Sequence, residues 1–396
     1  MAEPATNNKT SPSSLMIPDW TQLPEELLEF LTEKLDSCFD VVHARSVCRA
    51  WRSTMPFPCS LLRPSYSLPM LPNKNVGLCS LEKVPLVFFR VPTRDGDDGD
   101  TASASVYFIG GISRDDSADY KDLPSPLQCS MTVKIPGESE PTLMNILDCQ
   151  MLSLGYEYRL KNWSPDGEKT TLRNLAFLPL NKEGGGEFGV LLYFKGDLLV
   201  LTTRAEMKWK LLENVPKKPC TSLATFRGRF YASFYDRTSV VIDPDSLDVT
   251  LLIHSELVGF YKHLVPSGID ELFLVEEFLT TPAACRVSRL DEETGKWVVV
   301  TDIGGRVLLI DQDWENVCCS AKELPDCCGL SGNSIVITGE PENVANTFRY
   351  EGVEEDDLKF WTVSREKRVT VLSTSPAVAL RVELGHCLAS FLGKDN

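Results

Sequence analysis

Three glycines in Glu183-Gly184-Gly185-Gly186-Glu187-Phe188-Gly189 fall at the spacing GxGxxG, which in a dinucleotide site lets a helix N-terminus cradle a pyrophosphate. That chemistry requires a helix after the glycines, whereas Val190-Leu191-Leu192-Tyr193-Phe194 reads as a strand, so a hairpin loop is expected instead. Asp95, Asp97, Asp98 and Asp100 could offer carboxylates to calcium. An EF-hand loop needs glycine at its sixth position and a carboxylate at its twelfth, where this chain has Asp100 and Val106, so a solvated acidic loop is expected. Cys318-Cys319 and Cys327-Cys328 lack the Cys-x-x-Cys spacing of a zinc module and have no histidine nearby, which favours buried thiols over metal ligands. His386-Cys387 could pair a nucleophile with a base, but adjacent strand residues point to opposite faces and no third group orients them. With four histidines in the chain, a hydrolytic constellation is hard to assemble. No catalytic residue, metal or cofactor is therefore expected, although carboxylate chemistry stays open.

The bulk properties narrow the function further. A net charge of −16 opposes binding to a phosphate backbone, which depends on clustered Lys and Arg releasing counterions, so nucleic acid is not an expected partner. No apolar run approaches the 18 or so residues of a membrane-spanning helix, and MAEPATNNKTSPSS has neither the basic nor the apolar region of a secretory signal. The expected location is therefore the nucleus or the cytoplasm, where the 13 cysteines act as small buried hydrophobes and the sequons at Asn8 and Asn162 carry no glycan.

The chain is organised around Asp19 to Arg52. Leu23, Leu27, Leu28, Leu31 and Leu35 recur every three or four residues, as one face of a helix requires. Pro24 suits the first turn, and Glu25 and Glu26 put negative charge at the positive end of the dipole. A second helix is expected after Asp40, capped by its carboxylate and running through Val41, Ala44, Val47, Cys48 and Trp51. Two such helices cannot enclose their own apolar stripes and need a surface to pack on.

Leu23-Pro24, Glu26-Leu27, Leu31 and Leu35, followed by Arg45-Ser46-Val47-Cys48-Arg49-Ala50-Trp51-Arg52, resemble the F-box, the module by which substrate receptors attach to the Skp-type adaptor of SCF ubiquitin ligases. That resemblance implies that Leu23, Pro24, Leu27, Leu28, Leu31, Val47, Cys48 and Trp51 are divided between adaptor contact and the module's small core. An ordinary helical hairpin packed on its own domain is the alternative, disfavoured by the Leu-Pro start joined at this distance to Val-Cys-x-x-Trp-Arg.

Composition divides the chain into a flexible Ser- and Pro-rich tail (1–17), the helical module (18–56), a connector with Pro58, Pro64 and Pro69 (57–80) and a β domain (81–390). In the last part, short apolar runs alternate with Gly, Asp, Asn and Pro: Pro85 to Val91, Ser105 to Gly110, Phe188 to Phe194, Asp197 to Thr202, Val240 to Ile242, Leu272 to Val275, Trp297 to Val300 and Arg306 to Ile310. Turns at Lys195-Gly196, Arg227-Gly228, Gly268, Gly304-Gly305 and Gly332-Asn333 lead into strands every 30 to 40 residues or so, the period of repeated β-meanders, and a β-propeller of undetermined blade number is expected.

Val84-Pro85-Leu86-Val87, Tyr261 to Val265, Arg289 to Glu293 with Trp297, Ile303-Gly304 before Val307-Leu308-Leu309, and Leu330 with Gly332 to Ile335 resemble the kelch-like propeller domain found behind the F-box in a large plant family. The fold class expected is thus mainly β, a propeller preceded by a small all-α module. The function implied is a non-catalytic substrate receptor that docks on the Skp-type adaptor, reaches cullin through it, and presents an unidentified protein for ubiquitination. A propeller enzyme with a regulatory helical arm, which would need convergent carboxylates or a metal in the central channel, and an adaptor-binding scaffold outside the cullin ligase remain as alternatives.

Overall fold

The computed structural model describes residues 19–35, 38–55, 65–72, 78–91, 105–111, 130–133, 142–145, 150–163, 169–172, 174–181, 186–204, 206–235, 238–252, 261–278, 284–311, 315–325, 328–339, 344–350, 361–371 and 378–384. The chain divides into two compact units, Met1–Leu61 and Leu62–Asn396. The acidic stretch 95–100, Gly184, Cys327 and the His386-Cys387 pair lie outside the described residues.

The first unit is helical. A 3-10 turn at Trp20–Gln22, capped by Asp19, precedes α1 (Glu25–Lys34), α2 (Cys38–Val47) and α3 (Arg49–Thr54). The second helix expected after Asp40 is in fact two. α2 starts before Asp40, which lies in its first turn, and the helix breaks at Cys48, whose extended backbone begins α3. Arg45 explains why the break is stable: its guanidinium donates to the Arg52 carbonyl at 2.9 Å and to the Met55 carbonyl, neutralising acceptors that the end of α3 leaves open.

The second unit begins with β1 (Ser65–Leu68), β2 (Leu78–Val91), β3 (Ser105–Gly111), β4 (Ser130–Val133), β5 (Thr142–Asn145), β6 (Met151–Trp163) and β7 (Lys169–Leu172). Strand β1 and the start of β2 thus fall inside the stretch 57–80, where prolines suggested a connector. Pro64 and Pro69 flank β1 rather than interrupt it, and β1 pairs with β2 alone, as an edge strand can. Then come β8 (Leu175–Pro179), β9 (Phe188–Phe194), β10 (Asp197–Thr202) and β11 (Lys210–Leu211), followed by β12 (Cys220–Phe226), β13 (Arg229–Phe234), β14 (Ser239–Ile242) and β15 (Val249–Leu252). Next are β16 (Tyr261–Ser267), β17 (Glu271–Phe278), β18 (Ala284–Asp291) and β19 (Lys296–Val300), then β20 (Arg306–Ile310), β21 (Val317–Ser320), β22 (Ser334–Gly339) and β23 (Val344–Arg349). The series ends with β24 (Trp361–Val371) and β25 (Val378–Leu384).

These strands form a five-bladed propeller. Three blades are antiparallel meanders, β8–β11, β12–β15 and β16–β19. The fourth has the order β21-β20-β22-β23, with β20 and β22 parallel, and the fifth runs β6-β2-β3-β25. Strands β6, β8, β12, β16 and β21 abut in that order and return to β6, making the inner ring. A buried apolar cluster fills each of the five gaps between blades, for instance Leu191 and Val200 against Phe230 and Ile242, or Tyr231 and Val241 against Leu264 and Leu274. Because both faces of a blade are covered, its middle strands are apolar throughout instead of alternating, which is why Phe188 to Phe194 is so uniformly hydrophobic.

The glycine turns perform the roles their spacing implied. Lys195-Gly196 and Arg227-Gly228 are two-residue hairpin loops in which both residues have positive φ (52° and 92°, 45° and 75°), the conformation that matches the twist of flanking strands. Gly332 answers a different need. A Cβ there would lie 2.8 Å from the Gly305 Cα and 2.9 Å from the Gly304 carbonyl oxygen, both backbone atoms. Beside it, Asn333 accepts from the Ile303 N–H at 2.9 Å, locking the two loops together. Gly332→Ala is accordingly expected to destabilise the propeller by about 1–3 kcal/mol, readable as a lower urea midpoint.

Candidate functional site

Two places could carry function, the helical unit's surface and the propeller's axis. In the helical unit, Leu28 (1% exposed) and Val41 (0%) are buried with Ala44 and Met55, and Leu23, Leu31, Leu35 and Trp51 pack partly against this cluster. The Thr32 hydroxyl donates to the Leu28 carbonyl at 2.8 Å, and the Trp51 indole N–H donates to the Trp20 carbonyl at 2.9 Å, tying α3 to the 3-10 turn.

The eight residues singled out by the F-box pattern therefore separate. Leu28 belongs to the core, while Leu23, Leu31, Cys48 and Trp51 are half-buried and Pro24, Leu27 and Val47 are exposed. Two exposed apolar residues escaped the sequence reading, Trp20 (57%) and Phe30 (56%). Phe30 could have been found: it follows Leu27 by three residues and lies off the Leu28–Leu31–Leu35 stripe, so it shares the second, outward face of α1.

At the propeller's axis, the starts of β8, β12 and β16, the middle of β6 and the connection into β21 surround a cavity of about 410 Å³. The β6 residues Glu157 and Arg159 contact each other, and the Glu157 side chain is buried. From β16 come Lys262, 1% exposed, and His263, whose Nε2 lies 2.5 Å from Glu277 Oε1. Asp311, Glu315 and Asn316 line the side formed by the fourth blade. Lys262 stands directly across the ladder from Glu276, itself paired with Arg286 at 2.6 Å, so three buried charged positions of alternating sign cross the third blade.

Glu315 is partly exposed as a residue, yet its carboxyl is so hemmed in that desolvation first, and the Glu157 carboxylate second, push it up from 4.5 to about 8. Folded Glu315 keeps a proton that the unfolded chain sheds near 4.5, so this group costs stability increasingly as pH rises from 4.5 to about 8, and no further above that. Melting curves should show Glu315→Gln gaining on the parent protein through that interval and holding its advantage beyond.

The axial cavity was not legible beforehand, because its lining draws on all five blades. The convergent carboxylates that a propeller enzyme would need do occur, as Glu157 and Glu315. Among the described candidates for metal chemistry, Cys318 Sγ is 3.4 Å from Ser267 Oγ, and burial pushes the Cys319 thiol up to about 12. Among the described residues no three His, Cys, Asp or Glu side chains gather as metal ligands. Gly186 is followed by strand β9 and not by a helix. No helix among the described residues is long and apolar enough to cross a membrane.

Comparison with known proteins matches residues 104–373 to the KIB1-4 beta-propeller family. Two F-box/kelch-repeat proteins of Arabidopsis thaliana are 49% and 50% identical to this chain, over 93% and 96% of it and 97% and 100% of their own lengths. The Arabidopsis thaliana F-box protein SKIP23 is 28% identical over 81% of this chain and 86% of its own.

Proposed function

The chain belongs to the plant F-box/kelch-repeat proteins with a KIB1-4 beta-propeller, and from that membership we propose that it is the substrate receptor of an SCF ubiquitin ligase in the nucleus or cytoplasm. The helical unit docks on the Skp-type adaptor, and through it on cullin, while the propeller holds a target protein. The observation that carries this reading is the exposed apolar surface of the helical unit. Leu27, Phe30, Val47 and Trp20 are each 43% exposed or more although the unit already has a core in Leu28, Val41, Ala44 and Met55. A few large apolar anchors on a helix are what a groove-binding partner reads, and they dominate the affinity of such contacts. Leu23, Pro24, Leu31, Cys48 and Trp51 complete the set of residues that this reading divides between adaptor contact and core. The chain itself is non-catalytic in this reading, since holding a lysine near a charged ubiquitin carrier accelerates transfer by proximity alone.

Capture of adaptor and cullin by the full chain tests the proposal. Leu27→Ser with Phe30→Ser should weaken adaptor binding about a hundredfold, equivalent to roughly 2–3 kcal/mol, without lowering the melting temperature, because neither side chain is buried. Adaptor without cullin would identify a scaffold, and failure to bind adaptor would end the reading. One observation, the Glu157–Glu315 pair, favours a propeller enzyme instead, and that alternative stands or falls on turnover that Glu157→Gln abolishes.

A further inference from the structure

The axial cavity is short of positive charge at one place. The charged groups facing it come from three elements. On β6 Arg159 is matched by Glu157, on β16 His263 is matched by Glu277 and Lys262 stands opposite Glu276, and on the connection into β21 lie Asp311 and Glu315. The titratable Cys220, Tyr158, Tyr235 and Tyr261 complete the lining. Glu315 differs from the rest. The charged group that perturbs it is another carboxylate, Glu157, and among the described residues no cation pairs with it. An arriving anion would oppose ionisation of Glu315 and meet the Asp311 carboxylate, whereas an arriving cation would meet a carboxyl poised to ionise. Tyr235 (47% exposed) and Tyr261 (46%) belong to the same lining, and aromatic rings attract cations.

We propose that this cavity takes a basic side chain, lysine or arginine, from an extended segment of the recruited protein, with Glu315 and Glu157 holding the charged head and Tyr235 and Tyr261 framing its stem. The inference rests on the receptor reading for the bearer of that side chain; the cavity's preference for a cation stands apart from it. A volume of about 410 Å³ accommodates one long side chain with its flanking backbone. Entry of the cation displaces the Glu315 proton to solvent, so binding releases a proton at neutral pH and tightens as pH rises. That exchange gives the empty receptor a neutral cavity and the loaded one an ion pair, and it discriminates against uncharged side chains because burying them would leave Glu315 protonated and gain no ion pair.

Calorimetric titration of the full chain with acetyl-Gly-Lys-Gly-amide, its Nε-acetyl-lysine form and its glutamate analogue tests this. The lysine peptide should bind at least about tenfold tighter than the acetyl-lysine peptide. Near pH 6.5 it should release roughly one proton per peptide, seen as heat that varies with the buffer's ionisation enthalpy, and near pH 8.5 it should bind about tenfold tighter. Glu315→Gln should lose both the proton release and the pH response. Equal binding of the neutral peptide, preference for the glutamate peptide, no lysine-peptide binding at millimolar concentration, or an unchanged pH response in Glu315→Gln each overturns it. Adaptor capture scored on the same preparation separates the two claims: a chain that captures adaptor but ignores the peptide refutes the cavity's role alone, and the converse refutes the receptor reading alone.

Discussion

Arg286→Ala should cost the propeller about 3–5 kcal/mol, because it leaves a buried carboxylate without its counterion. Arg286 and Glu276 occupy directly paired positions on β18 and β17, are 4% and 2% exposed, and meet through Nη2 at 2.6 Å and Nε at 3.0 Å from a shared Oε2. Removing the guanidinium strands the charge of Glu276, which a low-dielectric interior tolerates poorly. The guanidinium also lies over the Phe278 ring at 5.7 Å, so packing is lost together with charge. Glu276→Gln should be at least as damaging, since Glu276 stands between two cationic positions, Lys262 and Arg286. Urea unfolding followed by tryptophan fluorescence reads both effects, and a loss below about 1 kcal/mol would mean that water reaches the pair.

Trp361→Ala should be comparably severe, about 3–5 kcal/mol, for a reason of shape. Trp361 is fully buried, and its indole N–H donates to the Val300 carbonyl at 3.2 Å. It starts β24, whose main chain pairs with β18 at Cys285 and with β23 beginning at Arg349, so one side chain secures the junction of two blades. The Tyr350 ring packs tilted against it at 6.2 Å. Trp361→Phe keeps an aromatic ring and forfeits the hydrogen bond to Val300, for an expected loss of roughly 1–2 kcal/mol. If both replacements unfold at the same urea concentration, the cavity argument is wrong and the hydrogen bond carries the effect.

Local chemistry was readable from the amino acids, and long-range geometry was not. Phe188 to Phe194, Asp197 to Thr202 and Arg306 to Ile310 were delimited correctly because glycine turns bound them and both their faces are apolar. Strand β6 was passed over: Met151 to Trp163 mixes Glu157, Arg159 and Lys161 with aromatics, and only a position at the central channel makes buried charge in a strand intelligible. The second helix was read as continuous because Val47, Cys48 and Trp51 keep a helical spacing across a break that Arg45 stabilises by donating to the Arg52 carbonyl. The blade number became visible through the ring of inner strands, which closes by a contact of β21 with β6 across more than a hundred positions. The division of F-box residues between core and surface likewise depends on Met55, which lies beyond the motif.

The fifth blade joins β3, which is made early, to β25, which is made late. During synthesis, four blades' worth of sequence must wait beside an open sheet edge until the final strand leaves the ribosome. Such an edge is a template for foreign strands, so a prematurely terminated chain is a natural substrate for quality control. A product that stops short of β25 keeps every strand of the inner ring and leaves the β3 edge unpaired, so the last strand made is the one that seals the fifth blade and marks the chain as finished.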